Sequence, residues 1–171
     1  MRRQLLILCC AWALCAAPAP SAGAEAAPAE EYPISLTVAL MQDGGKYALA
    51  MTLTNRGPRT IRMVADSLPW AFTGFGAMVE MRLARPLYQR LTDTVPVGHN
   101  LDLVELAPGQ SLSGRFPLSG RFLKLGDALE EEDVMYFWAY RGILMPDDLK
   151  GQVTPTNLIT GWGLISKAGR K

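Results

Sequence analysis

Cysteine is missing from most of this 171-residue chain: its three cysteines, Cys9, Cys10 and Cys15, all lie near the N-terminus. A domain formed by the remaining residues has no disulfide bonds, which excludes the small disulfide-stabilised folds of many secreted proteins. Its stability must come from the burial of apolar side chains. About 147 residues follow Ala24, which is enough for one domain that buries roughly two-thirds of its unfolded surface.

The chain also lacks an apolar run long enough to cross a membrane. Two arginines precede an apolar run of about 13 residues at 5–17, whereas a membrane-spanning helix needs about 20. Small residues close the segment at Ala22-Gly23-Ala24, in the A-x-A pattern of a leader cleavage site. The sequence therefore predicts a secretory signal peptide over residues 1–24, cleavage after Ala24, and a periplasmic or secreted mature protein.

An excess of charge of either sign is absent as well. Removing Arg2 and Arg3 with the signal peptide lowers the count of Lys and Arg from 17 to 15, against 16 Asp and Glu, so the formal charge changes from +1 to −1. Nucleic acids and anionic membrane surfaces are bound through strongly basic surfaces. The composition therefore predicts no nucleic-acid partner and no membrane span in the mature chain.

Histidine is nearly absent, because His99 is the only one in the chain. Zinc sites need several Cys or His ligands, and the mature chain supplies one. A serine hydrolase would have to use His99 with a nearby serine such as Ser111 or Ser113, yet neither serine lies in a G-x-S-x-G turn. The sequence predicts a protein that is not an enzyme and needs no metal or cofactor. A hydrolase that uses His99 is the first alternative.

Methionine is a potential ligand of soft metal ions that is in good supply. Thioether sulfurs bind Cu(I), but methionine is also a common filler of protein cores. Met78 and Met81 are expected on opposite faces of a strand, which suits packing better than a shared metal ion. A methionine-based copper carrier is the second alternative. Its candidate ligands are Met41, Met51, Met63, Met78, Met81, Met135 and Met145.

What the chain does have is alternation of apolar and polar residues, the pattern of a half-buried β-strand. The run I-S-L-T-V-A-L at 34–40 places its four large apolar residues on one face, and a second alternating run covers 47–54. The turn formers Asp43-Gly44-Gly45 lie between them. This arrangement predicts a hairpin of two antiparallel strands.

Six further stretches have the pattern of short strands: residues 60–66, 77–83, 101–106, 111–118, 134–140 and 158–165. Turn residues separate these stretches, and no amphipathic helix of ten or more residues is recognisable. The sequence predicts an all-β, antiparallel domain of about seven to nine strands, either a sandwich or a small barrel. We expect this single domain over residues 32–168, with a disordered tether at 25–31 before it and a long connection at 84–100 inside it.

Two of these strands carry information about their positions. Pro117 cannot donate a backbone hydrogen bond, so its strand is expected at a sheet edge or with a bulge. The run V-M-Y-F-W-A-Y at 134–140 is apolar on both faces, which predicts a strand in the middle of a sheet.

Two fragments carry a resemblance to known proteins: L-T-N-R-G-P-R-T-I-R at 53–62 and L-A-P-G-Q-S-L-S-G-R-F-P-L-S at 106–119. A strand that ends in N-x-G and a later strand that opens after a P-G-[EQ]-S turn are similar to the immunoglobulin-like sandwich of bacterial intracellular-proteinase-inhibitor-like domains. The same two fragments are also similar to propeptide-type domains of some secreted metalloendopeptidases. The resemblance implies an immunoglobulin-like fold and leaves function open, because unrelated functions share that sandwich.

The stretch L-P-W-A-F-T-G-F-G-A at 68–77, here called the aromatic loop, is the strongest candidate for a functional site. The spacing of Trp70, Phe72 and Phe75 fits neither one strand face nor one helix stripe, so at least one ring is expected to be buried. Aromatic residues left at the surface of a loop are typical of binding sites. We predict partner binding through Trp70, Phe72 and Phe75.

Taken with the signal peptide, these features predict an exported, non-enzymatic binding or accessory domain of the cell envelope. It would act by protein–protein interaction on another envelope or secreted protein, as an inhibitor, an immunity-type protein or an assembly factor.

Overall fold

The computed structural model describes residues 34–71, 73, 75–94, 99–145, 151–167 and 169. The predicted signal peptide (1–24) and tether (25–31) lie outside the described residues. The strands are β1 (Ile34–Asp43), β2 (Lys46–Asn55), β3 (Ile61–Val64), β4 (Met78–Leu83), β5 (Leu103–Leu106), β6 (Ser111–Phe116), β7 (Val134–Tyr140), β8 (Ile143–Leu144), β9 (Thr154–Pro155) and β10 (Ile159–Ile165). Two short helices, α1 (Leu118–Arg121) and α2 (Leu125–Glu131), lie between β6 and β7, and a 3₁₀ turn at Ala65–Ser67 follows β3.

The strands form three sheets in which every pair is antiparallel. The strand orders are β1-β2-β6, β10-β7-β4 and β5-β3-β8-β9. The prediction of an all-β, antiparallel fold is confirmed. Strands β8 and β9 were not predicted, because strands of two residues are too short to show an alternation.

The predicted hairpin of β1 and β2 is confirmed. Asp43 pairs with Lys46, so the loop between the strands consists of Gly44 and Gly45. Both glycines have positive φ, 54° and 79°, and a two-residue hairpin loop needs this conformation for its twist to match that of the strands.

The positions predicted for two strands are also confirmed. β7 lies in the middle of its sheet, and β6 lies at an edge. The predicted run at 111–118 ends earlier than expected, because β6 stops at Phe116 and Leu118 begins α1. Pro117 therefore terminates an edge strand rather than interrupting it.

The two fragments that resemble immunoglobulin-like domains meet at Asn55, whose side chain is buried at the end of β2. Its Nδ2 donates to the carbonyl oxygens of Arg59 (2.7 Å) and Leu106 (3.0 Å), and its Oδ1 accepts from the backbone N–H of Gly57 (2.9 Å). The side chain thus satisfies backbone groups of a turn and of β5 that are shielded from water. Asn55 ties the first sheet to the third.

The core lies on the inward faces of the three sheets. Its largest fully buried side chains are Tyr140, Phe116, Phe122, Leu49, Met51, Leu53, Ile61, Met63, Met81, Leu106, Leu118 and Leu125. Tyr140 is the only polar one among them, and its hydroxyl donates to the carbonyl oxygen of Ser67 at 2.9 Å. Burial raises the pKa of Tyr140 above its ordinary value of 10.0, because a phenolate would lose its hydration there.

The predicted long connection at 84–100 is partly structured. Leu83 N–H donates to Gln89 O (3.1 Å) and Leu91 N–H donates to Met81 O (2.9 Å), so residues 89–91 run beside β4. This segment covers the free edge of β4. In the part of the chain that the structure describes, β10 is left as the sheet edge with no strand paired to its outer side.

Candidate functional site

The outward face of the β10-β7-β4 sheet is apolar although it faces solvent. Phe137 pairs with both Glu80 and Trp162, which places these three side chains on one face of the sheet. Trp162 is 68% exposed and Met78 is 71% exposed. The side chains on this face are Met78, Glu80 and Arg82 of β4, Met135, Phe137 and Ala139 of β7, and Thr160, Trp162 and Leu164 of β10.

This face forms the floor of an open groove of about 750 Å³. Met78, Phe137 and Trp162 supply its large apolar side chains, and the polar end is formed by Glu80, Arg90, Asp93 and Arg121. Exposed single hydrophobic residues are common, whereas a contiguous apolar surface in a concave site is typical of a binding site. Here Phe137 and Trp162 face each other across neighbouring strands, and Met78 lies opposite Ala139, diagonal to Phe137.

Two ion pairs on Glu80 build one wall of the groove. Arg82 Nε donates to Glu80 Oε1, and Arg90 Nη2 lies 3.0 Å from Glu80 Oε2. Arg90 belongs to the segment that runs beside β4. The side chains in these pairs are partly exposed to solvent, so the pairs contribute little to stability, but the Arg90 pair holds the segment against β4.

The deepest charged group of the groove is Arg121, at the end of α1. Arg121 is only 4% exposed. Its Nε donates to Asp93 Oδ1 at 2.9 Å, and its Nη2 donates to Asp93 Oδ2. The guanidinium also lies 4.5 Å from the ring centroid of Phe116. A two-pronged Arg–Asp pair needs this planar geometry, so the polar end of the groove is preformed.

The inner face of the same sheet explains why β10 carries glycine opposite Trp138. A Cβ atom on Gly161 would lie 2.5 Å from the ring of Trp138, which is too close for any side chain. Trp138 covers this glycine from the core side. Trp162 and Leu164 point outward, whereas Ile159 and Ile165 at the two ends of β10 face the core.

The structure describes two of the three predicted contact residues, and they lie in different settings. Trp70 lies against Gly114 of β6, where a Cβ atom would be 2.2 Å from the indole ring, and it packs on the core. Phe75 is 53% exposed. Phe72 lies outside the described residues. Partner binding through this trio stays a prediction, and the aromatic loop also contributes Thr73 to the lining of the groove.

His99 pairs with a buried carboxylate near the aromatic loop. Its Nδ1 lies 3.2 Å from Asp66 Oδ2, and the other oxygen of Asp66 accepts the N–H of Asn100 at 2.7 Å. The ring of His99 is also 6.4 Å from the ring of Phe75, centroid to centroid. These contacts position residues 99–100 against the 3₁₀ turn after β3.

The two candidate serines lie on β6 and face away from the core. Ser113 Oγ is 2.9 Å from Thr52 Oγ1, and Ser111 Oγ is 2.8 Å from Thr54 Oγ1. Gly114, the next residue, faces inward under Trp70. The structure therefore joins His99 to an aspartate and joins each serine to a threonine on the outward face of the first sheet.

The predicted placement of Met78 and Met81 is confirmed. Met78 points outward into the groove, whereas Met81 is fully buried, as are Met51 and Met63. Within the described ranges, no group of three or more His, Cys, Asp or Glu side chains is arranged to hold a metal ion. No helix in those ranges has the length and apolar character to cross a membrane.

The central strand of the groove floor was recognisable in the sequence, but its pattern did not mark it as part of a site. The run at 134–140 is apolar on both faces, and this predicted its central place in a sheet but not that one face would stay uncovered. A scan of protein-family models and a search of curated proteins gave no match to this chain.

Proposed function

We propose that this protein is an exported, non-enzymatic binding protein of the cell envelope with an immunoglobulin-like sandwich fold. It holds an apolar segment of another envelope or secreted protein in the groove on the outward face of the β10-β7-β4 sheet. The observation that carries this proposal is the contiguous, solvent-exposed apolar floor formed by Met78, Phe137 and Trp162.

The chemistry of the groove supports an apolar ligand segment. Covering exposed apolar surface is favourable by roughly 25 cal/mol per Å², and the floor offers two aromatic rings and a thioether to cover. At the polar end, Glu80 already bonds Arg82 and Arg90, and Asp93 bonds Arg121. The four charged residues that line the groove, Glu80, Arg90, Asp93 and Arg121, have a formal charge that sums to zero, so they orient a ligand at the rim without demanding a strongly charged one.

The fold proposal rests on the way the sheets are joined. The N-x-G end of β2 and the P-G-Q-S turn before β6 meet through Asn55, which accepts and donates hydrogen bonds at both places. Loops at the end of a sandwich commonly carry binding residues. The aromatic loop is such a loop, and its Thr73 borders the groove.

Site-specific photo-crosslinking tests the proposal directly. A photoreactive amino acid at position 78 in the groove is compared with the same amino acid at Leu101, which is 72% exposed and lies before β5. We expect position 78 to form an adduct with a distinct envelope or secreted protein and position 101 to form none. Identical adducts at both positions, or none at either, would contradict the proposal.

Purified partner then gives the quantitative test. Replacing Met78 and Phe137 with serine is expected to weaken binding at least about tenfold, because most binding energy comes from a few central apolar contacts. Leu101→Ser is the matched control and should bind as the unchanged protein does. Unaltered binding by the Met78→Ser, Phe137→Ser protein would rule out the groove.

A further inference from the structure

β10 has the features of a strand that pairs with another chain. It lies at the edge of its sheet, and the seven residues from Ile159 to Ile165 include no charged residue and no proline. Natural proteins usually protect edge strands with such residues. Ile159, Gly161 and Gly163 face the core yet are only half-buried, which shows that solvent reaches this edge.

The neighbouring strand β1 approaches β10 mainly at its beginning. Asn157, two residues before β10, accepts from the N–H of Ile34 and donates to its carbonyl oxygen, both at 3.2 Å. β1 then pairs with β2 in a different sheet. The Asn157 contacts lie before the start of β10, and within the described residues no strand pairs with the outer edge of Ile159–Ile165.

The sequence of β10 is nearly symmetric about its middle residue. It reads I-T-G-W-G-L-I, with Trp162 at the centre, a glycine on each side and an isoleucine at each end. An antiparallel pair of two such strands brings Trp162 opposite Trp162 of the second copy, and Gly161 opposite Gly163. Because side chains alternate with a period of two, each residue is then paired with a residue of the second copy whose side chain lies on the same face of the joined sheet.

We propose that two copies of this protein pair antiparallel along β10, about a twofold axis that passes beside Trp162. A contact of this kind is self-complementary and closes at two subunits. It joins the two three-stranded sheets into one of six strands. The Trp162 and Leu164 side chains of both copies lie together on the outward face, where cross-strand aromatic pairs are favourable.

A second copy fits this edge better than a charged partner. The strand carries no charge that would repel its own copy. On the inward side, the space beside each glycine is already filled by a ring of β7, Trp138 at Gly161 and Tyr136 at Gly163. One strand pair buries less than the roughly 1,600 Å² of a standard interface. We therefore expect a reversible dimer that forms in the micromolar range. Trp162 also belongs to the groove floor, but the inference does not rest on the proposed function, because it is argued from the unpaired backbone edge of β10.

Charge exchange at the twofold axis tests the proposal. Trp162→Lys and Trp162→Glu proteins are each compared with the unchanged full chain by sedimentation velocity from about 5 to about 500 µM. The unchanged protein should reach twice its monomer mass. Each variant alone should stay monomeric because like charges meet across the axis, and an equimolar mixture of the two should again form dimers.

Met78→Lys is the matched control, because it puts a charge on the same face but on the opposite edge strand. This variant should still dimerise, and circular dichroism should show all variants folded. A monomeric wild type at the highest concentration would overturn the proposal. So would a mixture of folded Trp162 variants that remains monomeric, or a Met78→Lys protein that no longer dimerises.

Discussion

Two tryptophans of this protein lie beside glycines, yet one is half-buried against the core and the other is exposed at the surface. The ring of Trp70 occupies the space over Gly114 of β6 and packs on the core. Trp162 stands between Gly161 and Gly163 of β10 and is 68% exposed. Gly161 and Gly163 make room for the rings of Trp138 and Tyr136 on the neighbouring strand β7, not for Trp162 itself.

The difference shows that the face of the strand decides the role of the aromatic residue. Gly114 points inward, so the missing side chain leaves a gap in the core that Trp70 fills, because interiors are close-packed. Gly161 also points inward, and Trp138 fills that gap. Trp162 therefore projects to the opposite side, where the structure offers it no cover.

The largest expected effect is the contrast between Trp70→Ala and Trp162→Ala. We expect Trp70→Ala to lower the free energy of unfolding by about 3 kcal/mol, since it opens a cavity over Gly114. Trp162→Ala should change it by no more than about 0.5 kcal/mol, as for other exposed positions. Urea unfolding at low micromolar protein concentration measures both. Equal losses in the two variants would break the comparison.

Tyr140 sharpens the contrast between the two faces of β7. Tyr140→Phe should cost about 1 to 2 kcal/mol at neutral pH, because the buried carbonyl of Ser67 loses its donor. The variant should also be less sensitive to alkali. Tyr140 stays protonated in the folded protein above pH 10.0, where the unfolded chain ionises, so folding stability is retained below that pH and falls as pH rises above it.

The slope of this alkaline loss should approach about 1.4 kcal/mol per pH unit for Tyr140. Denaturant unfolding of the unchanged protein and of Tyr140→Phe between pH 8 and pH 11 gives the difference. The pKa of Tyr136, which burial also raises, affects both proteins alike. Parallel stability curves for the two proteins would contradict the assignment.

The smallest effect is expected at His99, which is exposed and lies beside Phe75 of the aromatic loop. His99→Ala removes one hydrogen bond to Asp66, while the N–H of Asn100 still bonds the other oxygen. We expect a loss of no more than about 1 kcal/mol. The same variant tests the hydrolase alternative. An esterase or peptidase activity that is lost in His99→Ala would replace the binding proposal. Unchanged partner binding by His99→Ala would support the binding proposal.

Much of the fold could be predicted from the sequence because it depends on local patterns. The Gly44-Gly45 hairpin, the edge position of β6 and the central position of β7 follow from turn chemistry, a missing backbone donor and an apolar run. The site was less predictable. Trp70 and Phe75 belong to one short loop, and no local pattern shows which of the two rings packs on Gly114. Gly114 lies 44 residues after Trp70 in the chain.

Alternation and turn residues act over a few neighbours, so the amino-acid order alone was enough to predict antiparallel strands and a domain without disulfide bonds. Which apolar faces are covered depends on how the sheets and helices pack. Strand β7 is apolar on both sides, but the other sheets and helices cover one side, and the second side becomes the groove floor around Phe137. Burial depends on what a face meets across long stretches of chain, and a local pattern carries no information about that contact.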